Sequence, residues 1–259
     1  SQLWGESGEL WDPVGRLPDF SYAGYGQGEN PLPNVPEKAY VTDFGAVGDG
    51  QTDNTAAFQA AIDSVDRGTI VIPAGTYRID GALVVRRSNT VLIGEGSGSS
   101  QLWFTANTVG FGHAHLRFLG SPTGSQPVAL SADVAPGDTT LSVASTEGYA
   151  VGDAVWIGID ITEDFVSDHG MEGYWTFSLN QWRPFFRRTL TAVDATTGQL
   201  TLDVSLPYAL TTRDGARIEK VEGLLTEVGM VGIGVSDATD WEAAWAQDQV
   251  HAVAFEGVD

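Results

Sequence analysis

Residues 164–188, DFVSDHGMEGYWTFSLNQWRPFFRR, hold the densest group of side chains suited to chemistry in this sequence. Tyr174, Trp175, Trp182, Arg183 and Arg188 are candidates for holding a sugar, since an indole stacks on the apolar face of a pyranose and a guanidinium forks onto a uronate or sulfate. Asp168, His169, Glu172 and Arg187 are the candidate catalytic residues. Two reactions fit. In β-elimination a base removes the proton beside a uronate carboxyl group while a cation neutralises the carboxylate, which gives His169 or Tyr174 as base and Arg187 or Arg188 as neutraliser. In hydrolysis two carboxylates flank the glycosidic bond, and Asp168 and Glu172 come together only if their segment is helical. A third reading takes Trp175, Phe177, Trp182, Phe185 and Phe186 as packing that fastens the loop to a β scaffold, with the charges solvated at its rim.

Other ionisable groups are more scattered. His113 and His115, two apart, would share one face of a strand, but a metal site needs a further converging ligand, so they read as surface or turn histidines. Asp43, Asp49, Asp53, Asp133, Asp138, Asp237 and Asp240 lie in or near turns, where capping explains them; Ca²⁺ is the one cofactor they leave open. There is no nucleophile-elbow, zinc-protease or EF-hand motif. The turn Gly45-Ala46-Val47-Gly48-Asp49-Gly50 lacks a P-loop lysine, which argues against nucleotide binding.

The elements that must position these residues are short and turn-rich. The 259 residues include 32 glycines and no cysteine, so packing and hydrogen bonding supply the stability. A formal charge of -21 repels nucleic acid and anionic membrane, and it repels free polyuronates unless Ca²⁺ or a local basic patch intervenes. No apolar run is long enough to span a bilayer. Residues 1–38 mix prolines with Trp4, Trp11, Phe20, Tyr22 and Tyr25 and read as an ordered, irregular arm. Residues 40–44 read as a strand, and Asp53 as the N-cap of a helix carrying Phe58 and Ile62 that ends at Gly68. Short strands follow at 69–72, 76–79, 82–85, 90–93 and 101–104, with turns between them, as in the coils of a solenoid. From 128 to 221 the texture becomes antiparallel, with alternating strands and tight turns. Coil-like sequence resumes at 224–235, a short helix is expected over 240–247, and a strand over 250–255.

The run VTDFGAVGDGQTDNTAAFQAAID, followed by GTIVIPAGTYRIDGALVV and SNTVLIGEGSGSSQL, resembles the opening of the pectate-lyase-like superfamily, which includes polygalacturonase-like hydrolases, alginate epimerases and lyases, and phage tailspikes. The resemblance covers about residues 39–103 and implies an all-β fold: a right-handed parallel β-helix whose first coil is closed by a capping helix. The domains expected are an arm (1–38), cap and first coils (39–127), an inserted antiparallel β-barrel or sandwich (128–221) and resumed coils (222–259). The resemblance also implies a secreted or cell-surface protein that acts on a polysaccharide as a lyase or glycoside hydrolase, or else a non-catalytic adhesin or tailspike-like binder. With no polar cap before Asp259, a longer polypeptide or a further chain is expected to complete the stack.

Overall fold

The computed structural model describes residues 4–12, 25, 30–31, 35–106, 114–125, 127–239, 242 and 251–258, apart from the side chain of Glu37. Phe20 and Tyr22 of the expected arm, His113, Asp240 and nearly all of the helix expected over 240–247 lie outside these residues. The chain divides into two compact units: Pro33–Pro122 with Gly223–Asp259, and Thr123–Glu222 with Ser1–Leu32.

In the first unit every strand pair is parallel. One sheet runs β1 (Glu37–Tyr40), β3 (Gly68–Ile72), β6 (Thr90–Gly94) and β16 (Gly229–Val231). A second runs β2 (Asp49–Asp53), β4 (Gly75–Ile79), β7 (Ser100–Phe104) and β17 (Gly234–Asp237). A third runs β5 (Leu83–Val85), β8 (Ala114–Leu119) and β18 (His251–Glu256). From β3 onward each turn of chain gives one short strand to each sheet, which is a parallel β-helix. Strands this short satisfy their backbone groups only through the coils on either side. Alternate residues point inward and stack: Ile70 on Leu92, Tyr77 on Leu102 and Leu83 on Leu116. Each such burial contributes about 1.5–3 kcal/mol.

Helix α1 (Thr55–Ser64) adds Phe58, Ala61 and Ile62 to this core. It ends at Ser64, before Gly68, which already opens β3. The Asp53 carboxylate accepts from the Thr55 N–H at 3.0 Å, but the residue preceding the helix is Asn54, buried and turned back onto Val47 N–H at 2.7 Å. The strand expected at 40–44 lies earlier, as β1, because Val41–Phe44 forms a 3₁₀ turn closed by left-handed Gly45 (φ 90°).

The second unit contains β9 (Thr123–Gly124), β10 (Val128–Ala129), β11 (Thr140–Ser142), β12 (Ala154–Asp160), β13 (Trp182–Asp194), β14 (Gln199–Leu202) and β15 (Arg217–Glu222). They pair antiparallel in the order β10-β15-β12-β13-β14-β11, with β9 beside β15. A bridge between Leu130 and Val143, with Ala144 N–H donating to Ala129 O at 3.0 Å, joins the two ends of that order. Leu141, Val155, Ile157, Leu190, Leu200 and Ile218 form a separate core. No helix among the described residues is long and apolar enough to cross a membrane.

His115 is not a surface residue. It is 1% exposed, stacked on Phe104 at 4.6 Å, with Nε2 3.4 Å from the Asp237 carboxylate. Burial lowers its pKa against the pull of Asp237. Two acidic turn residues serve their own turns, Asp49 accepting from Gln51 and Thr52 N–H and Asp138 from Ala135 N–H, whereas Asp133 accepts from the distant Thr212 N–H and hydroxyl. Among the described residues no group of three or more His, Asp or Glu side chains is arranged to hold a metal ion.

Candidate functional site

The site grows from an irregularity between β12 and β13. Ile157 pairs with Phe186 and Gly158 with Pro184, so Phe185 is an extra, bulged residue. Proline has no N–H to continue the ladder, and a bulge re-aims a side chain, here sending the exposed Phe185 ring outward. Glycine is required opposite it, because a Cβ on Gly158 would lie 1.9 Å from Arg183 O. Gly158→Ala is expected to destabilise this unit by about 1–3 kcal/mol, read as a lower thermal midpoint. An unchanged melt would mean that the bulge does not depend on that close approach.

Beyond β12 the chain forms the loop that carries most of the candidate residues. Thr162 caps α2 (Glu163–Asp168), its hydroxyl oxygen accepting from Phe165 N–H at 3.0 Å. His169 follows the helix, with Nδ1 2.7 Å from Phe165 O. A carbonyl oxygen only accepts, so Nδ1 bears the hydrogen and Nε2 of the neutral ring holds a free lone pair. The imidazole lies beside the Phe165 and Trp175 rings, with centroids at 4.3 and 5.6 Å.

The facing wall comes from residues 208–214. Asp214, whose side chain is 2% exposed, accepts from the hydroxyls of Thr162 and Thr211 and from Arg213 Nη2 at 2.9 Å. Burial pushes its pKa up, but the hydrogen bonds from Arg213, Thr162 and Thr211 and the Arg213 charge outweigh burial and hold it below the usual range. Arg213 also reaches Asp168 at 2.7 Å, tying the 212–214 turn to α2, and its pKa is raised by hydrogen bonds to Asp214 and Asp168.

These parts enclose a cleft of about 710 Å³ lined by Phe165, Asp168, His169, Trp175, Phe185, Phe186, Tyr208, Arg213 and Asp214. A neighbouring cleft of about 450 Å³ shares Phe165, Trp175 and Phe185 and adds Phe177, Ser178 and Arg183. Of the residues singled out from sequence, Asp168, His169 and Trp175 line the larger cleft, and Trp175 and Arg183 the smaller. Phe186 of the rings read as packing lines the larger, Phe177 the smaller and Phe185 both, whereas Glu172, Tyr174, Trp182, Arg187 and Arg188 lie outside both. Glu172, past the end of α2, accepts from the Ser167 hydroxyl at 2.8 Å, and its own N–H followed by that hydroxyl lowers its pKa. Tyr174 is exposed, and Trp182 sits 5.2 Å from the Arg217 guanidinium. Arg187 and Arg188 have pKa values lowered by burial, with Asp203 opposing. Arg188 donates to Val204 O and Ser205 O, at 3.0 and 2.9 Å, so these donors face protein backbone.

Tyr208, Arg213 and Asp214 were not anticipated from the sequence, and Phe185, read there as packing, is 46% exposed and lines both clefts. The run TTRDG at 211–215 offered a signal, since a turn that pairs an arginine with an acid can position a neighbouring loop. Tyr208 had none beyond being a large ring, now 65% exposed, after Pro207.

Residues 39–126 match the family described as rhamnogalacturonase A/epimerase, pectate lyase-like. Alginate lyase 7 of Azotobacter vinelandii is 46% identical over 70 residues, covering 23% of this chain and 8% of that protein. Mannuronan C5-epimerase AlgE3 of the same organism is 47% identical over 70 residues, covering 23% and 4%. This chain therefore spans only a small part of those relatives. The Gp54 tailspike of Acinetobacter baumannii bacteriophage AP22, solved in complex with A. baumannii capsular saccharide, superposes with a TM-score of 0.53 at 13% identity, covering 85% of this chain and 32% of that one. The tailspike gp61 of Pseudomonas phage phi297 gives 0.50 at 15% identity, covering 77% and 35%. At these identities the tailspikes speak to the fold alone. The parallel rungs and the family match agree: residues 39–126 match the pectate-lyase-like family, and the strands of the first unit stack as that family's β-helix does.

Proposed function

We propose that the protein is secreted or displayed at a surface and engages a polysaccharide, holding it on the ring-lined clefts of its antiparallel module. In this reading α1 caps the first coil, and the module is a small β-barrel inserted between two coils. The observation that carries the proposal is the set of rings, Phe165, Trp175, Phe185 and Tyr208, around one cleft beside His169 and Arg213. Large apolar rings left open to solvent beside polar groups suit a sugar, which presents both an apolar face and hydroxyls. The polysaccharide-directed names of the curated relatives support the same class of ligand.

A second reading adds cleavage by β-elimination, favoured by the Nδ1 contact that leaves His169 Nε2 able to accept a proton. Hydrolysis has less support, because Asp168 and Glu172 do not flank one cleft.

Affinity electrophoresis of the 259-residue chain against neutral, polyuronate and capsular polysaccharides tests the proposal. Trp175→Ala is expected to weaken binding about tenfold or more, as loss of a central ring does at recognition surfaces. Absence of binding throughout the panel, or an unaffected Trp175→Ala variant, would sink the reading. Absorbance from an unsaturated uronate, lost in His169→Ala with binding retained, would establish elimination. Binding without product would favour an adhesin.

A further inference from the structure

The two clefts of the antiparallel module differ in charge. In the larger, Asp168 and Asp214 face the single guanidinium of Arg213, which leaves it net negative while His169 is neutral. No carboxylate lines the smaller cleft, where the charged group is Arg183. Arg183 Nη2 donates to Ser178 Oγ and Gln181 Oε1, both at 2.9 Å; these neutral partners orient the guanidinium without cancelling its charge. Its Nε and Nη1 make no hydrogen bond to a described residue, and no carboxylate among the described residues pairs with it.

Other arginines of the module are engaged differently. Arg217 makes two 2.8 Å bonds to Asp160, Arg213 is held by Asp168 and Asp214, and Arg188 donates to backbone carbonyls. In a chain of formal charge -21, a guanidinium with no facing carboxylate, set among aromatic rings, is suited to an anion from outside. The shared wall of Phe165, Trp175 and Phe185 makes the clefts neighbours, as successive sugars of one chain require.

We propose that the smaller cleft binds a sugar bearing an anionic group and the larger cleft a neutral sugar next to it. The ligand is then a heteropolysaccharide in which an acidic residue adjoins neutral ones, not a homopolyuronate, whose next carboxylate would meet Asp168 and Asp214. This rests on the polysaccharide reading above and narrows it.

Calorimetric titration with size-matched oligosaccharides tests it. The probes are gellan fragments, with isolated uronates among neutral sugars; κ-carrageenan fragments, with sulfates on alternate sugars; polymannuronate; and dextran. Gellan or carrageenan fragments are expected to bind at least about tenfold more tightly than polymannuronate or dextran, and Arg183→Gln to remove about that factor. Whichever of the two binds more tightly identifies a carboxylate or a sulfate as the anion. Arg183→Lys, which keeps the charge but loses the fork, should fall between. Arg183→Gln is expected to unfold in a single cooperative transition, so that its lost affinity reports the missing guanidinium. Equal affinity for polymannuronate, or gellan and carrageenan binding unaffected by Arg183→Gln, would overturn the proposal. If those results came while Trp175→Ala still weakened every glycan, the charge assignment alone would fail; if no glycan bound at all, the polysaccharide reading would fall with it.

Discussion

Phe58→Ala is expected to cost the β-helix unit about 3–5 kcal/mol, the usual penalty for emptying a buried aromatic site. The ring is 1% exposed and meets Tyr77, itself buried, edge-on at 5.2 Å. Ala61 and Ile62 from the same helix join Val41, Ile70 and Leu83 in one core, so the cavity would open where helix and coil share their packing. Rigid rungs on one side make collapse around the void incomplete, which places the cost toward the upper end of the range. Urea unfolding followed by far-ultraviolet circular dichroism, with hydrogen exchange resolving the rungs around Ile70 and Tyr77, measures it. A loss below about 1 kcal/mol would mean that the helix does not close this core.

Asp214→Ala is expected to destabilise the antiparallel module by about 3 kcal/mol, because it leaves Thr162 and Thr211 without their shared acceptor and deprives Arg213 of one of its carboxylates. The pH dependence has a definite sign. The folded-state pKa of Asp214 is below its unfolded value, so the stability it contributes is complete above the unfolded carboxylate pKa of about 3.9 and disappears as pH falls through the lower folded value. Asp133, whose pKa is lowered by the Thr212 N–H and hydroxyl, adds to the same acid-sensitive turn. The wild-type module should therefore lose stability below about pH 4, and Asp214→Asn should show a shallower loss there. Matching acid profiles for the two proteins would remove Asp214 from this role.

The β-helix was legible because its signal is local and repeated. Runs at 69–72, 76–79, 90–93 and 101–104 differ from the observed strands by no more than one residue at either end, since inward positions must be apolar at every rung. Boundaries failed where one residue serves two ends. Asp53 was read as the N-cap, yet the residue preceding the helix is Asn54, whose amide bonds Val47 O and Thr52 O, a tie that no periodicity reports. His115 read as a surface residue because strand alternation does not foresee a stack on Phe104 or a return strand that brings Asp237 beside it. At the clefts, residues within one loop were visible together, whereas Tyr208 and Arg213 approach from the far side of two strands and a turn. The sequence likewise could not distinguish Arg183, oriented by neutral partners, from Arg188, bound to carbonyls, as the difference lies in the partners.

Glu222 pairs with Thr123 across β9 and β15, and in the other unit Ser121 N–H donates to Gly223 O at 3.0 Å. The two crossing points of the polypeptide are therefore side by side in each unit, so the hundred or so residues between them form a cassette closed at its base. A substitute of unrelated sequence with similarly spaced ends could occupy the same gap without altering the register of any rung.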